Sequence, residues 1–138
     1  MSRAYAALVW LSAVVYAGIG AASLVWPAAT LAPVGVLAQG DVGLVELRAM
    51  YGGLELGMAG FLAYCALGPE RVRLGLVAAT CSIGGLGLAR LGAWLALRPA
   101  GWVMPGLIVV EVGGAALGAR MLWRGTNQDR HRNEPSRV

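Results

Sequence analysis

Residues 4–26 run without a single charged side chain, a stretch long enough as a helix to cross a hydrocarbon core of about 30 Å. A soluble helix of that length would need a polar face, and none is present. The rest of the chain is built the same way. Only 13% of its 138 residues are charged, where a soluble domain carries about a quarter, and the mean hydropathy is +0.67. The expected fold is all-α: a polytopic membrane protein folded as an antiparallel bundle of four transmembrane helices. The spans fall at 4–26, 42–67, 74–97 and 104–123, which makes 1–124 one transmembrane domain.

The breaks between spans follow from proline and glycine. Pro27 and Pro33 interrupt the chain after the first run, Gly68-Pro69 closes the second and Pro99 the third, while Pro105 sits near the start of the fourth, where it is tolerated. From Gly125 the chain turns polar (GTNQDRHRNEPSRV), and 125–138 is expected to be a disordered cytoplasmic tail. The apolar connection PAATLAPVGVLAQGDVG is compatible with an interfacial segment dipping into the outer leaflet and equally with an exposed loop. Arg3 and the small residues around Gly20–Ala22 imitate a signal peptide, but the run continues through Leu24, Val25 and Trp26, longer than such a peptide needs. An uncleaved first helix is expected.

Arginine sets the orientation, since the chain has no lysine. Arg3, Arg71, Arg73, Arg120, Arg124, Arg130, Arg132 and Arg137 lie on one side of a four-span topology and Arg98 on the other. The positive-inside rule then makes both termini cytoplasmic, in a multi-pass protein of the inner (plasma) membrane. The net charge of +4 is thereby an orientation signal, and nucleic acid is not an expected partner. Cys65 and Cys81 fall inside spans, where cysteine is ordinarily a packing residue, and the only histidine, His131, lies in the tail. No ligand spacing for a metal and no cofactor motif can be read, so neither is expected.

Five ionisable residues interrupt the spans: Glu46, Arg48, Glu55, Arg90 and Glu111. Charge at the membrane centre costs roughly 2.5–3.5 kcal/mol per Asp, Lys or Arg on insertion scales, so these side chains should face the bundle interior and one another. At the helical rise per residue, Glu46 lies about 12 Å above the membrane centre, Arg48 about 9 Å, Arg90 about 8 Å, Glu111 about 4 Å and Glu55 near the centre itself. All five belong to the outer half or the midplane, although they come from three spans. On an unbroken α-helix Arg48, Tyr51 and Glu55 share a face, while Glu46 lines up with Gly53, Gly57 and Gly60. Glu111 lines up with Gly114, Ala115 and Gly118. The pairs Gly53-x-x-x-Gly57 and Gly114-x-x-x-Gly118 suit close helix packing. Three carboxylates against two arginines leave one negative charge too many in a low-dielectric site, so one carboxyl should stay protonated, and Glu55 is the deepest.

The stretch ELRAMYGGLELG, followed by GGLGLARLGAWL and IVVEVGGAALG, resembles a family of small four-helix bacterial membrane proteins of unknown function. The specific part is E-x-R-A-x-Y-G-G at Glu46, Arg48, Ala49, Tyr51, Gly52 and Gly53, with Arg90 and Glu111 matching in the third and fourth spans. There is a looser similarity to DoxX-type four-helix proteins. Glu55 lies outside the motif. The resemblance implies the four-helix fold and a shared site, and no reaction.

Three function classes fit. The first is a membrane-embedded enzyme (an isomerase, cyclase or hydrolase) acting on a lipophilic small molecule, with Glu46 and Glu111 as acid/base pair, Arg48 and Arg90 orienting them, and Tyr51 and Glu55 assisting. The second is an accessory or scaffold subunit in which the charges lock helices together. The third is a small proton-coupled transporter, which four spans would serve only as a homo-oligomer. The expected partners are the lipid bilayer, a lipophilic small molecule and a second copy of the chain.

Overall fold

A computed structural model describes residues 3–133, with side chains to residue 125. The chain forms α1 (Arg3–Val25), α2 (Pro27–Leu31), a 3-10 turn (Ala32–Val34), α3 (Gly40–Leu47), a π turn (Arg48–Gly53), α4 (Leu54–Leu67), α5 (Val72–Leu97) and α6 (Val103–Asn133). α3, the π turn and α4 are continuous, so four helices are long and apolar enough to cross a membrane: Arg3–Val25, Gly40–Leu67, Val72–Leu97 and Val103–Gly125. The fold class is the one the hydropathy pattern predicts.

α6 departs from the expectation at its end. It continues as helix to Asn133, whereas the polar stretch from Gly125 had been expected to be disordered. Extending an existing helix adds one hydrogen bond per residue and avoids a new nucleus, so a polar sequence can follow an apolar one without a break. The remaining expectation for the tail, at 134–138, lies outside the described residues.

The bundle consists of two antiparallel pairs. α1 lies along the π turn and α4, and α5 lies along α6; contacts of α5 with α1 and α4 join the pairs. Polar links cross the bundle as well. Tyr16 donates to Ser82 Oγ at 2.8 Å, and Tyr5 donates to the Met121 carbonyl at 2.7 Å. Most large apolar side chains on the outer faces, Leu11, Val14, Val109 and Val110 among them, remain exposed, as lipid-facing residues should.

The first pair closes around two glycines. A β-carbon on Gly20 would sit 3.0 Å from the Gly52 carbonyl and 3.0 Å from the Leu56 nitrogen, and one on Gly52 would meet the Leu24 side chain at 2.6 Å. Gly53 and Gly57, the pair expected to mediate packing, are exposed instead, and a β-carbon on Gly57 would meet nothing within 4 Å. The π turn explains the difference. A single such turn inserts one residue, about 100° of rotation, so faces assigned on an unbroken α-helix do not hold across it.

Packing is uneven along the bundle axis. Val9, Ala13, Leu62, Cys65, Val72, Leu76 and Ala79 form one buried cluster, all near the short 68–71 turn. Cys65 belongs to this core, whereas Cys81 is exposed on the outer surface of α5. At the opposite end the connection 27–39 folds back over the bundle, burying Pro27 and Leu31. Expected is that Gly20→Leu, pressed against backbone, lowers stability by about 1–3 kcal/mol, while Gly18→Leu, with open space around it, changes it by less than about 0.5 kcal/mol. Denaturant titration in detergent micelles measures both.

Candidate functional site

α5 and α6 approach closely at Gly87. A β-carbon there would stand 2.9 Å from Glu111 Cβ and 3.2 Å from the Val112 nitrogen, so only a glycine lets the two backbones come this near. Arg90, one turn further along α5, reaches across to Glu111. Nε donates to Oε2 at 2.9 Å and Nη2 donates to Oε1 at 3.0 Å. This two-bond fork is the strongest geometry available to a guanidinium and a carboxylate. The side chains are 23% and 12% exposed, so little solvent is present to weaken the pair.

The fork leaves Nη1 pointing elsewhere, toward Met104 Sδ at 3.8 Å. Here Arg90 forms part of the wall of a cavity of about 680 Å³, between the 33–36 segment, α5, the 99–101 connection and the start of α6. Leu86, Ala93, Trp94, Leu97 and Met104 supply its apolar walls, and Tyr51 enters from the π turn. Among the described residues Arg90 is the only charged one in the lining; Glu111 stands behind it. The indole nitrogen of Trp94 is buried with no hydrogen-bond partner among the described residues. The cavity lies at the end of the bundle away from the 68–71 turn and its tightly packed core.

The other residues singled out in the sequence separate. Arg48 Nε donates to the Leu24 carbonyl at 3.0 Å. That bond satisfies one of the orphan carbonyls at the end of α1 and places a positive charge at its negative pole. Glu46 is exposed and Glu55 half-buried, and neither forms an ion pair among the described residues. The expected single cluster of five charges is therefore one ion pair, one helix-capping arginine and two carboxyls lying apart. The loss of α-helical phase at the π turn accounts for it, since Arg48 turns to α1 and away from Glu55.

Two residues not singled out as site candidates also belong to the polar interior. Tyr16 lies within electrostatic reach of both Glu55 and Glu111, and its hydroxyl is bonded to Ser82, which in turn donates to the Ala79 carbonyl at 3.3 Å. The available signal was a tyrosine midway along an otherwise uncharged run. No group of three or more His, Cys, Asp or Glu side chains among the described residues is arranged to hold a metal ion.

With this geometry in view, residues 4–122 match the family described as Domain of unknown function (DUF4345). The chain belongs to that family. No curated protein and no solved structure matches the chain. The DUF4345 match runs from the first residues of α1 to the membrane-spanning part of α6, and so contains the pair, the cavity and the π turn together.

The Arg90–Glu111 pair makes a measurable demand. Removing one partner leaves a charge without compensation, whereas replacing both by apolar residues of similar volume is often neutral. Expected is that Glu111→Gln lowers stability by about 3 kcal/mol and that Arg90→Leu/Glu111→Leu returns to within about 1 kcal/mol of wild type. Unfolding of purified protein in detergent measures the difference.

Proposed function

We propose that this chain is a membrane-embedded enzyme that takes a lipophilic small molecule into the Arg90 cavity and acts on it by acid–base chemistry. The observation that carries this proposal is a cavity of about 680 Å³ with apolar walls and a single guanidinium, held rigidly by a carboxylate behind it. An apolar cleft of this size with few convergent polar groups is the usual form of a small-molecule site. Arg90 Nη1 and the Tyr51 hydroxyl would donate to an oxygen of the substrate and stabilise charge developing on it. Isomerases, cyclases and hydrolases all draw on that stabilisation. Glu111 holds the guanidinium in place. Arg48, by fastening the π turn to the end of α1, sets the position of Tyr51, which gives the E-x-R-A-x-Y-G-G motif a physical role as the shared site of the family. Glu46 and Glu55 lie outside the lining and take no part in this chemistry.

The arginine distribution supports a placement with both termini in the cytoplasm and the cavity in the outer half of the inner membrane. A second reading, an accessory subunit held rigid by its charges, is favoured by the fact that both Arg48 and Arg90 bridge separate helices.

Incubation of the protein in nanodiscs with a bacterial membrane lipid extract, followed by mass spectrometry, separates the two. Catalysis predicts depletion of one lipophilic component with an isomeric or hydrated product, abolished in Arg90→Leu and in the cavity-filling Ala93→Trp. An extract unchanged by wild type and variants alike would contradict the enzyme and leave the accessory role.

A further inference from the structure

We infer that the cavity selects a neutral lipophile bearing a hydrogen-bond-accepting oxygen, such as a ketone, quinone or epoxide, over an anionic amphiphile of the same length. This rests on the cavity being the ligand site, and it follows from the charges and donors in the wall.

The one charged group lining the cavity is already matched. Glu111 takes two bonds from Arg90, so the pair presents no net charge to the interior. A carboxylate or phosphate brought against Arg90 would create an uncompensated negative charge in a medium that solvates it poorly. Arg98 offers no compensation within the wall: it is exposed at the end of α5 and is not part of the lining. The two remaining carboxyls of the spans, Glu46 and Glu55, would oppose an anion if ionised.

The donor inventory points the same way. A guanidinium has five N–H groups, and among the described residues those of Nη1 face only the Met104 thioether, at 3.8 Å, a weak acceptor. Tyr51, in the same lining, carries a hydroxyl. Among these wall side chains, donors outnumber good acceptors. An unsatisfied buried donor is costly, and a carbonyl or epoxide oxygen relieves that cost without bringing charge.

Native mass spectrometry of the protein from nanodiscs, with farnesylacetone and oleate as competing probes, tests this. Expected is that wild type binds the ketone about tenfold or more tightly than oleate. Glu111→Gln, which leaves Arg90 uncompensated, should reverse the preference, and Arg90→Leu/Glu111→Leu should abolish it. If wild type prefers oleate, and that binding is lost in Ala93→Trp, the cavity remains the ligand site and the charge inference is overturned. If neither probe's binding is lost in Ala93→Trp, the cavity is not the site, and both fall together. Should Glu111→Gln fail to assemble, the double variant decides: a ketone preference equal to wild type overturns the inference.

Discussion

Hydrocarbon tolerates a guanidinium only when its charge and its hydrogen bonds are met nearby, and in this bundle that condition is met by Glu111. The requirement reaches outward from the pair. Beside the fork, α5 and α6 come close enough that a β-carbon at position 87 would crowd Glu111, and Gly87 permits the approach. Once closed, the fork fixes the register of the two helices and the direction of the remaining nitrogen. Nη1 then faces the cavity because the other two nitrogens are committed to the carboxylate.

The second arginine solves a different problem with the same chemistry. α1 ends close to the π turn, and its last carbonyls have no partners within the helix. In a membrane such groups cannot be left to water. Arg48 meets one of them at Leu24, and the same stretch of backbone presents Gly52 to Leu24 and Tyr51 to the cavity. Thus the E-x-R-A-x-Y-G-G stretch is a joint between α1 and α4 as well as part of a wall. The apolar core cluster lies toward the 68–71 turn, where Val9, Leu62, Cys65 and Leu76 interlock. The other end joins these polar contacts to the close packing of Gly20 and Gly52 and holds the cavity.

Much of this was legible in the residues. Uncharged runs define the spans because a helix must carry about 20 apolar residues to cross, and the cost of charge in hydrocarbon makes charged side chains within the spans turn toward one another, though which would pair was not legible. The remaining placements were not legible for specific physical reasons. The π turn at Arg48–Gly53 breaks the α-helical period on which every facing argument for Glu46, Arg48 and Glu55 relied. A backbone carbonyl carries no sequence signature, so the partner of Arg48 could not be read from side chains. The bond from Tyr16 to Ser82 depends on α1 and α5 running parallel in adjacent positions, a feature of packing order that hydropathy does not encode. The helical continuation of α6 beyond Gly125 follows from its connection to a stable helix and not from its own polar composition.

The bundle depends on Arg90 and Glu111 forming an ionised, two-bond pair. Solid-state NMR on protein with isotopically labelled arginine and glutamate in lipid bilayers tests it most directly. Through-space correlations are expected from Nε and Nη2 of Arg90 to the side-chain carboxyl carbon of Glu111, together with the chemical shift of an ionised carboxylate. A protonated Glu111 carboxyl without correlation to either nitrogen would contradict it.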